Sequence, residues 1–182
     1  RYGAIDVLVN NAGFAFFEPF AEAPLEHFER MMDVNYMGLV RCTKAVLPDM
    51  LKRREGHIVN IASLAGKIAT TRSTGYSASK HAVIGFTNCL RMELRGTGVF
   101  VTSVNPGPVD TPFFDIADPH GTYATRIRRF MLKPERVAEA VVRAIERRKA
   151  EVDLPWWGAL GAKWFHLFPR TFESLAGRLL DK

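Results

Sequence analysis

Residues 57–80 read HIVNIASLAGKIATTRSTGYSASK, and this stretch decides the fold. Its first six residues are rich in Ile and Val and almost wholly apolar, which predicts a strand covered on both faces of a parallel sheet. Ser63 follows this strand directly, and a helical pattern carrying Tyr76 and Lys80 begins near residue 73. The stretch therefore predicts three polar side chains assembled between a strand end and a helix.

The same alternation continues on both sides of this stretch. Residues 5–10 and 99–104 resemble the first strand in composition, and both predict strands covered on two faces. Helical patterns run over residues 24–50, 73–95 and 133–149, the last with an apolar face formed by Val137, Ala138, Val141, Val142 and Ile145. Strands alternating with helices predict an α/β fold, a Rossmann-like doubly wound parallel sheet.

The segments outside these elements suggest where a ligand binds. Residues 105–123 are rich in proline and glycine, which predicts a long loop beyond the carboxyl end of the third strand, the edge where open parallel sheets bind ligands. A short strand-like segment follows at residues 151–155. We divide the chain into a domain of residues 1–155 and an aromatic extension of residues 156–182. The extension fits a packing helix on this domain or on a neighbouring subunit, a substrate lid, or shallow membrane contact.

The amino-acid composition limits the kinds of protein that this chain can be. The 182 residues are 47% hydrophobic and 24% charged, which is typical of one globular domain. No apolar run approaches the roughly 18 residues that span a membrane, and no signal pattern stands at the first residues, so we expect a soluble, cytoplasmic protein. The net charge of +6 lacks an accompanying aromatic groove pattern, which disfavours nucleic-acid binding but suits a phosphate-bearing cofactor.

The two cysteines carry little functional signal. Cys42 and Cys89 lie in separate helical patterns and lack the spacing of metal ligands. We interpret them as reduced packing residues, and we expect no metal site.

The spacing of Tyr76 and Lys80 allows proton transfer. Four positions apart on a helix, their side chains share one face, and a nearby ammonium favours the tyrosinate. Lowering a tyrosine pKa from about 10 to neutrality requires about 4 kcal/mol, which a close cation in a desolvated site can largely provide. The pair is weak evidence alone, since surface helices carry such pairs by chance. Ser63 adds a hydroxyl at the same sheet edge, although a serine there is also typical of a helix cap.

Three further motifs have ordinary and functional interpretations. Asn35 interrupts a helical apolar pattern, where it marks either a satisfied buried polar residue or a helix distortion. Residues 10–13, NNAG, end the first strand with small residues that allow a ligand close to the backbone. Residues 106–111, PGPVDT, form a turn with a hydroxyl just beyond it.

Together and in this order, these motifs resemble the short-chain dehydrogenase/reductase family in its compact single-domain branch. The YxxxK pair is Tyr76 and Lys80, and Ser63 precedes Tyr76 by 13 positions. The resemblance implies hydride transfer between NAD or NADP and a carbonyl or alcohol. It implies that Tyr76 protonates the carbonyl oxygen, that Ser63 polarises it, and that Lys80 lowers the tyrosine pKa and binds the nicotinamide ribose. Asn35 would hold a water that relays protons.

The resemblance also implies the cofactor contacts. The residues carried over are Asn11, Ala12, Gly13, Tyr76, Lys80, Pro106, Gly107, Val109 and Thr111. NADP is slightly favoured over NAD, and a homodimer or homotetramer is implied. Phe113, Phe114, Ile116 and the aromatic extension suggest an apolar wall, so we expect a hydrophobic carbonyl or alcohol substrate.

One part of the family pattern is not found in these residues. The glycine-rich turn that holds the pyrophosphate has no counterpart, because the G-x-G at 96–98 precedes a strand and not a helix. We expect a first three-strand unit to be missing, since IDVLVN is too apolar for an exposed sheet edge. We also expect these 182 residues alone to bind dinucleotide weakly and to be inactive.

Two rival functions stay open at this point. The first is a non-catalytic binding or regulatory subunit of the same fold, which the intact set of Asn35, Ser63, Tyr76 and Lys80 disfavours. The second is epimerisation or dehydration of sugar nucleotides, which the compact spacing and short tail disfavour. Membrane contact through residues 156–168 is compatible with catalysis and does not exclude it.

Overall fold

A computed structural model describes residues 3–171 and contains a four-stranded parallel sheet with the strand order β1-β2-β3-β4. Helices flank the sheet, which confirms the predicted Rossmann-like α/β class. The strands are β1 (Val7–Asn10), β2 (Gly56–Ile61), β3 (Val99–Pro106) and β4 (Glu151–Leu154). The helices are α1 (Leu25–Met32), α2 (Leu39–Arg53), α3 (Thr74–Glu93), α4 (Phe113–Ala117), α5 (Thr122–Ile127), α6 (Pro134–Glu146) and α7 (Trp156–Leu167).

One face of the sheet is covered by α2 and α3. Met50 of α2 and Leu90 of α3 form a buried cluster with Ile58 and Val101, which are paired neighbours on β2 and β3. Leu8 of β1 packs against the same cluster. The carboxyl ends of the parallel strands therefore meet the first turns of α3 at one edge of the sheet.

The opposite face is covered by α6, which packs against β2, β3 and β4. Val7 and Val9 point to this face but lie beyond α6, and they remain 40% and 44% exposed. The prediction that this strand is covered on both faces is therefore wrong for the described residues. The predicted face of α6 is also partly wrong, because the buried residues are Ala140 and Ala144. Of the side chains assigned to that face, Val142 and Ala138 are exposed.

The helix predicted over residues 24–50 is interrupted by a π-helical segment, Asp33–Gly38, between α1 and α2. Asn35 lies within this segment and is 2% exposed. A π turn has one more residue per hydrogen-bonded turn than an α-helix, so the side chains within it point in different directions from those of a regular helix. The distortion that the asparagine predicted is therefore present.

Residues 105–123 are more regular than predicted. β3 extends to Pro106, a position at the strand end where a proline is tolerated, and two short helices, α4 and α5, follow. Before these helices, Val109 forms an isolated parallel bridge with Leu132. The segment therefore folds back against the domain beyond the carboxyl end of β3.

The cysteines differ from their predicted packing role. Cys42 and Cys89 are free and exposed, because each lies on the solvent side of its helix. Among residues 3–171, no helix has the length and apolar character needed to cross a membrane.

Helix α7 packs through small residues and presents large ones outward. Gly158 and Ala162 are buried, and a Cβ at Gly158 would clash with the Leu64 side chain. The outward apolar side chains are 40–72% exposed, and they are Trp156, Trp157, Leu160, Trp164, Leu167 and Phe168. The rest of the predicted extension, residues 172–182, lies outside the described residues.

A turn that follows β2 needs glycine to approach α3. A Cβ at Gly66 would lie 2.8 Å from the backbone carbonyl oxygen of Lys80. Gly66→Ala should destabilise the fold by about 1–3 kcal/mol, because the turn must move away from α3. Chemical denaturation measures this loss.

Gly85 provides the matched control. It lies in α3, and a Cβ added at this position would meet no atom within 4 Å beyond its chain neighbours and the nearby backbone of its own helix. Gly85→Ala should therefore stabilise the fold by about 0.5–1 kcal/mol through helix propensity. Equal effects of the two substitutions would contradict a steric requirement at Gly66.

Candidate active site

Ser63 lies at the carboxyl edge of the sheet and is 8% exposed. Its hydroxyl oxygen accepts a hydrogen bond from the Ala65 amide at 3.1 Å and donates to the Pro106 carbonyl at 3.4 Å. It is also hydrogen-bonded to the Tyr76 side chain. Ser63 is thus both the cap of the Leu64–Gly66 turn and a partner of the tyrosine, so the two interpretations of this serine are compatible.

Tyr76 is buried, 9% exposed, beneath a group of aromatic rings. We call Phe17, Phe113, Phe114 and Tyr123 the aromatic cap. The Phe113 and Phe17 centroids lie 5.6 and 6.0 Å from the Tyr76 ring. Burial raises the pKa of Tyr76 to about 12, and the Ser63 hydrogen bond lowers it only in part. Burial therefore reverses the direction that a neighbouring ammonium predicts.

Lys80 is also buried, 5% exposed, one helical turn from Tyr76. Its Nζ donates to the Ile61 carbonyl at 2.9 Å and lies 5.8 Å from the centre of the Tyr76 ring. Burial lowers the pKa of Lys80 to about 8. The ammonium has three N–H donors and one hydrogen-bond acceptor among the described residues, so it retains capacity to bind a ligand.

Asn35 ties two parts of the site together. Its Nδ2 donates to the Phe14 carbonyl at 2.9 Å and to the Ser79 hydroxyl at 3.0 Å, and its Oδ1 accepts from the Phe14 amide at 3.0 Å. Both amide protons are used, so one lone pair of Oδ1 remains for a further partner such as water. The side chain joins the segment after β1 to α3.

The NNAG segment passes directly over this group. Asn11, Ala12 and Gly13 are exposed at the carboxyl end of β1. A Cβ at Gly13 would lie 3.1 Å from Asn35 Oδ1 and 3.4 Å from Lys80 Nζ. Glycine at position 13 therefore lets the NNAG backbone lie close to Asn35 and Lys80. As a result, an exposed stretch of backbone lies beside the buried Lys80 ammonium.

The PGPVDT segment lies on the other side of Ser63. The Gly107 amide donates to the Leu154 carbonyl at 2.6 Å, and the Leu132 amide donates to the Pro108 carbonyl at 2.8 Å. Val109 and Thr111 are half-buried, and the Thr111 hydroxyl is 3.5 Å from the Val109 carbonyl oxygen. The structure thus brings all four predicted catalytic residues and the predicted cofactor residues to one edge of the sheet.

A polar cluster beside Ser63 was not predicted from the sequence. Lys67 Nζ donates to Asp153 at 2.6 Å and pairs with Glu151 at 2.6 Å. Asn105 donates to both carboxylates at 2.8 Å. The cluster joins the turn after Ser63 to β3 and β4, and no local sequence pattern pointed to it, because its members come from separate elements.

Metal chemistry has no candidate ligands in the described part of the chain. Residues 3–171 contain no group of three or more His, Cys, Asp or Glu side chains that could hold an ion. The polar groups that the structure places at the candidate site are the Tyr76 phenol, the Ser63 and Thr111 hydroxyls, the Asn35 amide and the Lys80 ammonium.

The buried ammonium predicts a distinctive pH dependence of stability. Lys80 has a folded-state pKa of about 8 against 10.5 for the unfolded chain, so above pH 8 the unfolded state binds more protons. Stability should rise by up to about 3 kcal/mol between the two values, and Lys80→Met should abolish this rise. Tyr76 acts oppositely but only above pH 10, because its folded-state pKa is raised to about 12.

Denaturant unfolding at a series of pH values between about 8 and 10 measures this slope. Lys44→Met changes an exposed lysine of α2 and should retain the wild-type slope. If stability changed with pH equally in wild type and Lys80→Met, the claim that Lys80 is buried with a lowered pKa would be wrong.

Comparison with known proteins places the chain in a family. The family model described as short chain dehydrogenase matches residues 1–120. An uncharacterised oxidoreductase of Staphylococcus saprophyticus is 44% identical over 147 residues, covering 81% of this chain and 60% of that protein. Dehydrogenase/reductase SDR family member 7C of Bos taurus is 38% identical over 160 residues, covering 84% and 51%. The chain thus spans about half of the cow protein's length and 60% of the staphylococcal protein's.

Solved structures of dehydrogenases also resemble this chain. The closed form of serine dehydrogenase complexed with NADP+ is 37% identical with a TM-score of 0.74, covering 82% of this chain and 64% of that one. A short-chain dehydrogenase from Streptomyces avermitilis, at 24% identity and a TM-score of 0.77, supports the fold over 98% of this chain and 71% of its own. The family match and the relatives show that this chain belongs to the short-chain dehydrogenase/reductase family.

Proposed function

We propose that the protein transfers a hydride between NAD(P)(H) and a carbonyl or alcohol, with Tyr76 as the proton donor or acceptor. The observation that carries this proposal is the buried Tyr76 phenol, which is hydrogen-bonded to Ser63 and lies one turn from the Lys80 ammonium. A phenol without ligand-binding neighbours would serve only packing. Here the surrounding groups can orient a carbonyl oxygen and exchange a proton with it.

The protonation states suit the direction of carbonyl reduction. With a pKa of about 12, Tyr76 is protonated at neutral pH and can donate. Ser63 would hold the carbonyl oxygen beside the phenol. Lys80, with a pKa of about 8, is mostly charged at neutral pH and would stabilise the tyrosinate left by proton donation. The remaining lone pair on Asn35 Oδ1 would hold a water molecule in the proton relay that returns a proton to Tyr76.

The residues present fit a nicotinamide dinucleotide at this edge. Its nicotinamide would supply or accept the hydride. The Lys80 ammonium has unused N–H donors, which suit the hydroxyls of a ribose. Because Gly13 has no side chain, the backbone of the NNAG segment can lie close to this ammonium. We assign the adenosine side to Asn11, Ala12 and Gly13, and the nicotinamide side to Pro106, Gly107, Val109 and Thr111. The cofactor is NADP or NAD, with NADP slightly favoured, and the NADP+ complex of the related serine dehydrogenase supports this choice.

Tyr76→Phe tests the proton role. In the complete protein, the substitution removes the hydroxyl and keeps the ring within the aromatic cap, so NADPH affinity should stay nearly unchanged while kcat falls about 10²–10⁴-fold. Fluorescence titration with NADPH and steady-state turnover of a carbonyl panel measure the two effects.

Tyr36→Phe is the matched control, since Tyr36 packs against Phe86 at a centroid distance of 6.0 Å and should keep full activity. Wild-type turnover in Tyr76→Phe would refute the assignment. Binding of NADPH without turnover of any carbonyl or alcohol in wild type would instead favour the non-catalytic subunit.

The aromatic cap indicates an apolar substrate. Phe113 and Phe17 border Tyr76, and both are half-buried. Phe114 lies one ring further out, at 5.4 Å from Phe113, whereas Ile116 is 51% exposed. A carbonyl held at Tyr76 would therefore place its substituents against phenylalanine rings, which favours a hydrophobic carbonyl or alcohol.

Phe113→Ser tests this preference. The ratio of kcat/KM for an aromatic ketone to that for a small polar carbonyl should fall about tenfold, which corresponds to roughly 1.4 kcal/mol of lost apolar contact. Phe130→Ser, at a side chain 57% exposed, should leave the ratio unchanged. An unchanged ratio in Phe113→Ser would exclude Phe113 from the substrate wall.

We further propose a cytoplasmic homodimer or homotetramer. The exposed apolar side chains of α7 support association, because five large ones lie on this helix and a sixth, Phe168, follows it directly. Shallow membrane contact through the same side chains stays a prediction.

A further inference from the structure

A second concave site lies at the opposite edge of the sheet. A cavity of about 420 Å³ is bordered by the amino ends of β2 and β3, around Gly98, Val99 and Phe100. Four arginines line it, and no Asp or Glu does: Arg54, Arg91, Arg95 and Arg148. The candidate active site lies at the carboxyl ends of the same strands, so the two sites are separated by the length of the sheet.

The fold explains why the arginines converge. Helices α2, α3 and α6 run back along the sheet, and each ends at its amino edge. Arg54 is the C-cap of α2 with φ 56°, and Arg148 follows α6 with φ 48°. Both occupy the left-handed region, where glycine or asparagine is usual at a helix end. Arg91 and Arg95 come from the end of α3.

Helix termini alone do not account for this charge. A basic side chain stabilises the C-terminal end of a helix, which carries about half a negative charge. Three such ends supply about −1.5 against four full positive charges, so the cavity keeps a positive excess. The arginines therefore exceed what the helix dipoles can neutralise.

The guanidinium groups are positioned by backbone carbonyls and by a ring. Arg54 donates to the Gly96 carbonyl at 3.1 Å, and Arg91 donates to the Val101 and Ala150 carbonyls at 3.0 and 2.8 Å. The Arg148 guanidinium lies 4.4 Å from the centre of the Phe100 ring. These contacts hold Arg54, Arg91 and Arg148 in place, and none of them brings a negative charge to a guanidinium group.

Carboxylates near in sequence do not neutralise the cavity. Among residues 3–171, none of the four arginines has a carboxylate oxygen within 4.0 Å. Glu151 acts on Arg91 from a distance, but its carboxylate pairs with Lys67 at 2.6 Å. Glu55, Glu93 and Glu146 follow or end the same helices and do not line the cavity.

We propose that this cavity binds the di- or triphosphate group of a small molecule. Planar guanidinium forks match phosphate oxygens in pairs, and several preorganised forks favour an anion with more than one charge. Phe100 already has a guanidinium over its ring, so recognition rests on the phosphates and not on stacking of a base. The site is separate from the dinucleotide site and does not depend on the proposed redox activity.

Calorimetric titration of the intact protein with tripolyphosphate tests the proposal. Wild type should bind, and its affinity should fall as sodium chloride is raised. Arg54→Gln with Arg95→Gln should weaken binding about a hundredfold, since two charge-assisted contacts are lost. Arg128→Gln with Arg136→Gln removes the same charge from positions outside the cavity and should change affinity less than about threefold.

The outcomes separate the explanations. An equal loss in the two double variants would mean binding to net charge alone, and would overturn the proposal, as would the absence of tripolyphosphate binding in wild type. ATP is the second probe. Affinity for ATP equal to that for tripolyphosphate supports recognition of free phosphate chains, and tighter ATP binding supports a nucleotide source. Binding of ATP alone would contradict recognition through phosphates.

Discussion

The hydrogen bond from Lys80 Nζ to the Ile61 carbonyl, at 2.9 Å, is the contact on which the site depends. Burying an ammonium costs several kcal/mol unless it has partners, and this carbonyl at the end of β2 is its protein partner among the described residues. The bond fixes the first turns of α3 against the strand end. Ser63 lies two residues beyond Ile61. The turn that follows Ser63 contacts α3 closely because Gly66 has no side chain. The same bond therefore sets the relative position of Ser63, Tyr76 and Lys80.

Two polar networks hold the strands on either side of this contact. On the α3 side, Asn10 donates to Asn60 at 2.8 Å, and Asn60 donates to Thr87 at 2.9 Å, which joins β1, β2 and α3 near their shared edge. On the other side, Lys67 joins the turn after Ser63 to β4 through Asp153. Across the described residues, every buried side-chain nitrogen and oxygen has a hydrogen-bond partner, so these networks are complete. The site is thus preorganised by contacts on both flanks.

Much of the fold could be predicted because its signals are local. Apolar runs and helical spacing located the four strands and the main helices, and the order of NNAG, Ser63 and YxxxK placed the site at one sheet edge. The asparagine at position 35 indicated a helix distortion, since its short amide competes with backbone hydrogen bonds.

The remaining features depend on contacts between distant residues. Whether Ala140 or Val142 is buried depends on how α6 lies on the sheet, because apolar residues occupy both sides of this helix. The raised pKa of Tyr76 arises from the depth of burial beneath the aromatic cap, which spacing from Lys80 does not reveal. Lys67 and Asp153 are 86 positions apart, and the arginine cavity draws on three helix ends. No local pattern could have joined these groups.

Calorimetric titration of NADPH into the complete protein, rather than these 182 residues alone, and into its Lys80→Met variant tests the role of the buried ammonium most directly. Lys80 is the buried group with unused donors beside Gly13, so we expect binding in wild type and affinity weakened about tenfold or more in the variant. Circular dichroism would establish that the variant is folded. Equal NADPH affinity in the two proteins, or no binding in wild type, would contradict the claim that this buried ammonium organises a nicotinamide cofactor site.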